Sequence, residues 1–295
     1  MTASPVPAPL TVERARHPWW MFALAAIGAS LLVIIAMNRW AVPADEHAYW
    51  LAARRLIEGQ PLYDPSVTVI TPYAYLYPPP LAQMLVPVAY VVPSDVFNLG
   101  WLAAMGIALW WLAGRDVIRA LALVAFLPVA VEFWFRNVHL FLAVLVVLGL
   151  RRWSGWFAFG AAIKISPGLG IPYLALRGQW RPALVAAGVG LVMLVVSIAL
   201  SPTAWSQYVD FLRGLDPTGQ SAFIPIPLPV RLAVAAVLTV VAGRTSGWRG
   251  EVILVVAVTV ALPSLWFTGL SLLAAAVPII RSRTRVAVGP SVIAA

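Results

Sequence analysis

The sequence predicts an all-α fold: a polytopic helical membrane protein of about 8–10 transmembrane helices, with a large first outer loop bearing interfacial helices. Three observations lead there. Of 295 residues, 62% are hydrophobic and 11% are charged, against about 25% charged in an ordinary soluble domain. Mean hydropathy is +0.89. The apolar runs are continuous rather than alternating, which excludes a transmembrane β-barrel. The same figures exclude a soluble enzyme, a disordered chain and a nucleic-acid-binding domain, the last of which the net charge of +9 would otherwise invite. With no cysteine, disulfides, thiolate nucleophiles and thiolate metal sites are excluded too.

Residues 1–17 are rich in Pro and Ala and end in Arg14, Arg16 and His17. They read as a short disordered cytoplasmic tail rather than a cleavable leader. Residues 18–295 then form one transmembrane domain. The apolar stretch 19–42 is the first spanning helix, with Trp19, Trp20 and Trp40 as interfacial anchors. Residues 43–95 are the first outer loop. Its part 43–80 holds Asp45, Glu46, Glu58 and Asp64, four of the chain's eleven acids, together with five tyrosines. Ala48, Leu51, Ala52 and Leu56 recur at helical spacing, so 46–58 is an amphipathic helix lying on the membrane, ended by Gly59 and Pro61. The run Tyr77-Pro78-Pro79-Pro80 cannot be helix interior. Residues 81–92 are apolar but too short to span and form a second interfacial helix. Spanning candidates follow at 96–113, 117–134, 138–150, 155–176, 182–200, 228–243, 250–263 and 265–280, with 201–227 as a second outer loop.

Arginine placement sets the orientation. Six basic clusters, Arg14/Arg16, Arg115/Arg119, Arg151/Arg152, Arg177/Arg181, Arg244/Arg249 and Arg281/Arg283/Arg285, belong on the cytoplasmic side. If every run crossed once, the clusters flanking 155–176 would face opposite sides. The centre of that run reads Ile163-Lys164-Ile165-Ser166-Pro167-Gly168, and Pro167 breaks a helix there. Two half-helices that enter the membrane and return place all six clusters inside and both loops outside. Broken helices at membrane depth occur where they face protein or a wet cavity.

Lys164 is the only lysine in the chain. A charge at membrane depth costs at least about 2.5–3.5 kcal/mol. One unit charge about 4 Å away, at an effective dielectric near 20, returns roughly 4 kcal/mol. A single anion therefore suffices: either Glu132, as a structural ion pair, or a phosphate on a membrane-embedded substrate. Asp45 lies just past the first helix and is either the N-cap of helix 46–58 or a general base at the membrane surface; Glu46 is its rival. His47, Tyr49 and Tyr77 lie in the same loop. The polar turn Phe135-Arg136-Asn137-Val138-His139 is either a set of snorkelling anchors or part of a site. Arg231 is either an interfacial anchor or a bidentate phosphate clamp. Tyr63, Tyr73, Tyr75 and Tyr77 are interface tyrosines or the lining of a sugar site. No nucleotide-binding loop or metal-ligand spacing is present, and no cofactor or metal is expected.

These residues resemble a known family. Asp45-Glu46-His47-Ala48-Tyr49, Ala52-Ala53, Gly59 and Leu62-Tyr63-Asp64 are similar to the first-loop pattern of glycosyltransferase family 87, which includes polyprenyl-phosphate-mannose-dependent mannosyltransferases of actinobacteria. Tyr75-Leu76-Tyr77-Pro78-Pro79 fits its Tyr-x-Tyr-Pro-Pro stretch, and Ile163-Lys164-Ile165-Ser166-Pro167 its Ile-Lys-x-x-Pro segment. Arg136-Asn137-Val138-His139 stands where the family often has Gly-Gln-Val-Asn. The late Ser-Pro-x-Ser-Trp-x-His-His pattern is present as Leu262-Pro263-Ser264-Leu265-Trp266-Phe267-Thr268, without histidine. The resemblance implies a C-type membrane glycosyltransferase fold, a lipid-linked sugar donor and an acidic base in the first outer loop, which falls on Asp45. On this reading a polyprenyl-phosphate sugar, mannose by family default, enters from the bilayer. Its phosphate lies near Lys164, with Arg231, Arg136, Asn137 and His139 assisting and His47, Tyr49 and Tyr77 lining the site. The acceptor is a glycolipid or lipoglycan on the outer face, and the partners are membrane lipids rather than nucleic acid. The rivals are a lipid flippase and a non-catalytic scaffold for another glycosyltransferase.

Overall fold

The structure, a computed structural model, describes residues 17–38, 45–63, 74–214 and 226–286. Arg14, Arg16, Trp40, Asp64, Tyr73, the side chains of Arg283 and Arg285, and residues 215–225 of the second outer loop lie outside the described residues. Within them the chain is all helical. Three helices are long and apolar enough to cross a membrane: α1 (Trp19–Asn38), α4 (Ser94–Leu112) and α10 (Trp180–Leu200). A fourth crossing is obtained if one bent pair is counted. That is fewer full-length spans than the apolar runs suggest, because breaks divide several of them.

The run 117–134 is not one helix. It is α5 (Val117–Val124) and α6 (Leu127–Phe135), meeting at 85°. Pro128 lies in the first turn of α6. It has no N–H to donate, and its ring would clash with the carbonyl of Val124 in a continuous helix, so α5 stops at Val124. The run 155–176 is broken at the expected place. α8 (Trp156–Ile163) ends, Lys164 is extended at φ −142° and ψ 132°, a 3₁₀ turn covers Ser166–Leu169, and α9 (Gly170–Leu176) follows. Gly160 lets the turn fold back tightly, since a Cβ there would lie 2.7 Å from Pro167 Cβ.

The segment expected as the first outer loop holds both of the short helices read from its sequence. α2 (Asp45–Ile57) buries Ala48, Tyr49, Ala52 and Ala53 against α3 (Pro79–Val91) and α4. Pro79 and Pro80 occupy the first turn of α3, where a missing N–H costs nothing. The segment 201–227, expected as a second outer loop, contains α11 (Pro202–Gly214). α11 docks on the first loop. Tyr63 packs against Tyr208 and Phe211 with centroids 5.6 and 5.4 Å away, and Gln207 Oε1 accepts from the Leu62 N–H at 2.9 Å. The α6–α7 turn, with α7 (His139–Arg151), packs on a 3₁₀ segment at Phe267–Ala275. The remaining helices, α12 (Leu228–Arg244), α13 (Gly247–Val260) and α14 (Ala276–Val286), complete the bundle.

α1 is held to the rest chiefly through α5, at closest approach where a Cβ on Gly28 would lie 1.8 Å from the Leu121 carbonyl oxygen. Gly28→Ala therefore forces the backbones apart and is expected to destabilise the protein by about 1–3 kcal/mol, as overpacking does. Gly106→Ala in α4, with nothing within 4 Å, is the control. Thermal unfolding in detergent should show a lower midpoint for the first and an unchanged or raised one for the second.

Candidate active site

Three chain segments converge where α2, the approach to α3 and the α6–α7 turn meet. Asp45 is the first residue of α2, where the helix dipole favours an anion. It is not a cap of that helix: its Oδ2 accepts a short hydrogen bond from Asn137 Nδ2. The Asn137 amide is oriented without ambiguity, because its Oδ1 accepts from the Tyr77 hydroxyl at 2.9 Å and from the Val138 N–H at 2.8 Å. Tyr77 gives its one proton to Asn137, so the Tyr49 hydroxyl must donate to Tyr77, at 2.7 Å. Tyr49 is fully buried and its ring meets Tyr77 edge-on at 4.9 Å.

Local chemistry explains why Tyr77 stands there. The proline run forces an extended entry to α3. Tyr75 satisfies what that entry leaves open, donating to the Pro78 carbonyl at 2.8 Å and accepting from the Ala82 N–H at 2.9 Å. The Tyr63 hydroxyl donates to the Tyr77 carbonyl at 2.6 Å. Burial pushes the Asp45 carboxyl up to about 7, while the charge of Lys164 and the Asn137 amide act in the opposite direction.

Lys164 reaches the same cluster from the break after α8. Its Nζ lies 4.9 Å from the centroid of the Tyr77 ring, within cation–π range. Among the described residues its one hydrogen-bond partner is His139 Nε2, at 2.9 Å. Glu132 is not the direct ion-pair partner that its position suggests, because His139 stands between them. Glu132 Oε1 accepts from the His139 backbone N–H at 2.6 Å, and Glu132 Oε2 lies 3.0 Å from Nδ1. Glu132, His139 and Lys164 are all at least nine-tenths buried. Tyr77 thus joins the two halves, with its hydroxyl on the Asp45 side and its ring face under the lysine.

Arg136 is near the cluster but serves another acid. Its Nη1 donates to Glu46 Oε1 at 2.8 Å, with both side chains almost fully buried. It caps α6 in the left-handed region at φ 53°, a conformation that costs a non-glycine residue about 1–2 kcal/mol. The resemblance has glycine at this position, which adopts that φ freely. Here the ion pair and the Trp101 Nε1 bond to the Arg136 carbonyl, at 2.9 Å, hold it. Glu46 Oε2 has no hydrogen-bond partner among the described residues.

Two expected site residues lie elsewhere. His47 stacks on Trp50 and its Nδ1 lies 3.0 Å from Ser94 Oγ. Arg231 in α12 is not arranged as a phosphate clamp. Its Nε donates to the Ile226 carbonyl at 3.0 Å, Nη1 to those of Leu262 and Val260, and Nη2 to that of Pro263 at 2.8 Å. The two Nη nitrogens satisfy carbonyls that the end of α13 leaves without helical partners, and Nε satisfies one just ahead of α12. Trp101 and the capping role of Tyr75 escaped sequence reading, since an aromatic residue in an apolar run carries no local mark of its hydrogen bond. Among the described residues, no three His, Cys, Asp or Glu side chains are grouped to hold a metal ion.

With this geometry in view, comparison with known proteins is informative. The family model described as Glycosyltransferase family 87 matches residues 75–282. A polyprenol-phosphate-mannose-dependent alpha-(1-2)-phosphatidylinositol mannoside mannosyltransferase of Mycobacterium tuberculosis is 25% identical over 69% of this chain and 56% of that protein. An alpha-(1->3)-arabinofuranosyltransferase of Corynebacterium glutamicum is 24% identical over 71% of this chain and 56% of that protein. The chain therefore spans about half the length of the curated relatives it matches. No solved structure matches it.

The Glu46–Arg136 pair makes a stability prediction. Arg136→Gly relieves the strained φ but leaves Glu46 buried without its counter-charge, so a net loss of about 1–4 kcal/mol is expected. Adding Glu46→Gln should recover most of it. Chemical unfolding of the single and double variants in detergent checks both.

Proposed function

Since the chain belongs to glycosyltransferase family 87, we propose that it is a membrane glycosyltransferase. It moves a sugar, mannose, from a polyprenyl-phosphate donor to a glycolipid or lipoglycan acceptor on the outer face of the membrane. The observation that carries this reading is the shared hub. A carboxylate at the start of an outer-loop helix and the chain's only lysine, at a break between helices, are joined through one tyrosine. Nucleotide sugars are cytosolic, so an outward-facing site needs a sugar already carried across on lipid.

Asp45 accepts the proton of an acceptor hydroxyl. The hydroxyl oxygen bonds to the anomeric carbon from the face opposite the phosphate, and the configuration inverts. The anomeric carbon–oxygen bond breaks, its electron pair goes to the phosphate, and the Lys164 ammonium stabilises the growing charge. Phosphate leaves without being protonated, so one carboxylate serves where glycosidases use two. Asn137 and Tyr77 hold the base. Lys164 has a single hydrogen-bond partner among the described residues, so its remaining donors are available to the phosphate.

Two outcomes follow. Asp45→Asn keeps the Asn137 bond, so membrane insertion and folding persist while transfer falls by at least about 10²–10⁴-fold. The check is mass analysis of glycolipid made by reconstituted protein from polyprenyl-phosphate mannose and, in parallel, polyprenyl-phosphate arabinofuranose. Undiminished transfer by Asp45→Asn, or lipid movement with the sugar–phosphate bond intact, would overturn the reading. Because the base must be ionised and burial raises the Asp45 carboxyl to about 7, the rate should rise about tenfold per pH unit below 7 and level off above it. A rate that falls across that range would remove Asp45 as base.

A further inference from the structure

Glu132 touches neither Asp45 nor any atom that the transfer step uses, yet it is fully buried in an apolar helix and both its oxygens are engaged by His139. The imidazole stands in line between two groups that can each give or take a proton, with Oε2 3.0 Å from Nδ1 and Nε2 2.9 Å from Lys164 Nζ. Two proton arrangements satisfy these contacts equally. In one, a Glu132 carboxylate accepts from Nδ1–H and Nε2 accepts from a Lys164 ammonium. In the other, a Glu132 carboxyl O–H donates to Nδ1 and Nε2–H donates to a neutral Lys164 amine. Moving two protons one place along the chain interconverts them. The O–H of Glu132 and the N–H at Nε2 break, N–H bonds form at Nδ1 and Nζ, and total charge and proton number are unchanged.

We propose that Glu132 and His139 are positioning residues that form an internal proton relay, charging Lys164 when a phosphate enters and discharging it when the site is empty. The inference rests on the reading of Lys164 as the phosphate site. Separated charges in apolar surroundings are costly, so the empty site favours the arrangement without them. A phosphate beside Nζ supplies a counter-charge and selects the ammonium. The proton comes from Glu132, so none is drawn from solvent. His139 accordingly serves the lysine and is not itself a phosphate ligand. The other ionisable groups facing Lys164 are Asp45 from α2 and Tyr77 ahead of α3, with Tyr49 behind Tyr77 and Glu46 paired with Arg136. The segments α3 and 267–275 contain no charged residue, and the only one in α10 is Arg181, in its first turn.

The test uses the whole chain in lipid nanodiscs with Asp45→Asn, which removes the neighbouring carboxyl and any turnover. The probe is farnesyl phosphate, a dianion above about pH 7 because its second pKa is near 6, with farnesol as the control. Calorimetric titration in two buffers of different ionisation enthalpy counts the protons taken up on binding. With the relay intact, uptake is close to zero and affinity is flat from pH 7 to 9. Adding Glu132→Gln removes the internal proton, so binding takes up close to one proton. Affinity then falls by about tenfold per pH unit over that range. His139→Asn retains an amide N–H for Glu132 but has no atom at the Nε2 position; it should shift the same way, and it serves if the Gln variant does not fold. Equal proton uptake with and without Glu132, whether zero or one, would overturn the relay alone. Failure of the relay-intact protein to bind farnesyl phosphate, or equal binding of farnesol, would overturn the phosphate reading on which it rests.

Discussion

An ionisable group sunk in apolar surroundings has to be compensated, and that constraint organises this molecule. Only 31 of 295 residues are acidic or basic (20 Lys and Arg, 11 Asp and Glu). Near the centre of the described fold the compensation is a single connected structure rather than scattered pairs. Asp45 is held by Asn137, Asn137 by Tyr77, and Tyr77 by Tyr49, while the face of the Tyr77 ring meets Lys164, which leads through His139 to Glu132. Polar networks at low dielectric are strong when every member is satisfied and costly when one is not. Every member of this one is buried except Asp45, which is half-buried.

The helices are shaped to deliver these side chains. Three of the segments that contribute them are interrupted close by. The proline run ahead of α3 carries Tyr77, the left-handed Arg136 ends α6 beside Asn137 and His139, and the extended break after α8 carries Lys164. A continuous helix would turn these residues around its own axis and spend their backbone groups on itself. The breaks free a few residues to aim inward, at the cost of spans shorter than the membrane's thickness. α11 closes the arrangement by packing Tyr208 and Phe211 on Tyr63, whose hydroxyl fixes the Tyr77 carbonyl.

The two buried arginines show why charge alone does not reveal a role. Arg136 neutralises Glu46, and Arg231 satisfies the open carbonyls at the end of α13. Arg136 adjoins the candidate site and Arg231 lies away from it, yet each is engaged by the protein itself. Lys164 differs: it has one hydrogen-bond partner among the described residues and rests on a ring face. A cation held in this way keeps donors in reserve for an anion, which a cation saturated by carbonyls or a carboxylate does not.

Composition and punctuation alone determined the all-helical membrane class, the two short helices α2 and α3, and the break at Pro167 beside the only lysine. Each follows from short-range physics: the cost of apolar surface in water, the period of a helix, and the missing N–H of proline. The same physics foretold too few breaks, since Pro128 in the first turn of α6 divides a run that hydropathy alone reads as one span. Tertiary structure decided the pairings. Whether Glu132 meets Lys164 directly or through His139, whether Arg136 answers Asp45 or Glu46, and whether His47 meets the cluster or Trp50 and Ser94 depend on how the helices cross. Residues 90 or more positions apart, such as Asp45 and Asn137, come together only by that packing. A hydrogen bond between them leaves no periodic trace along the chain.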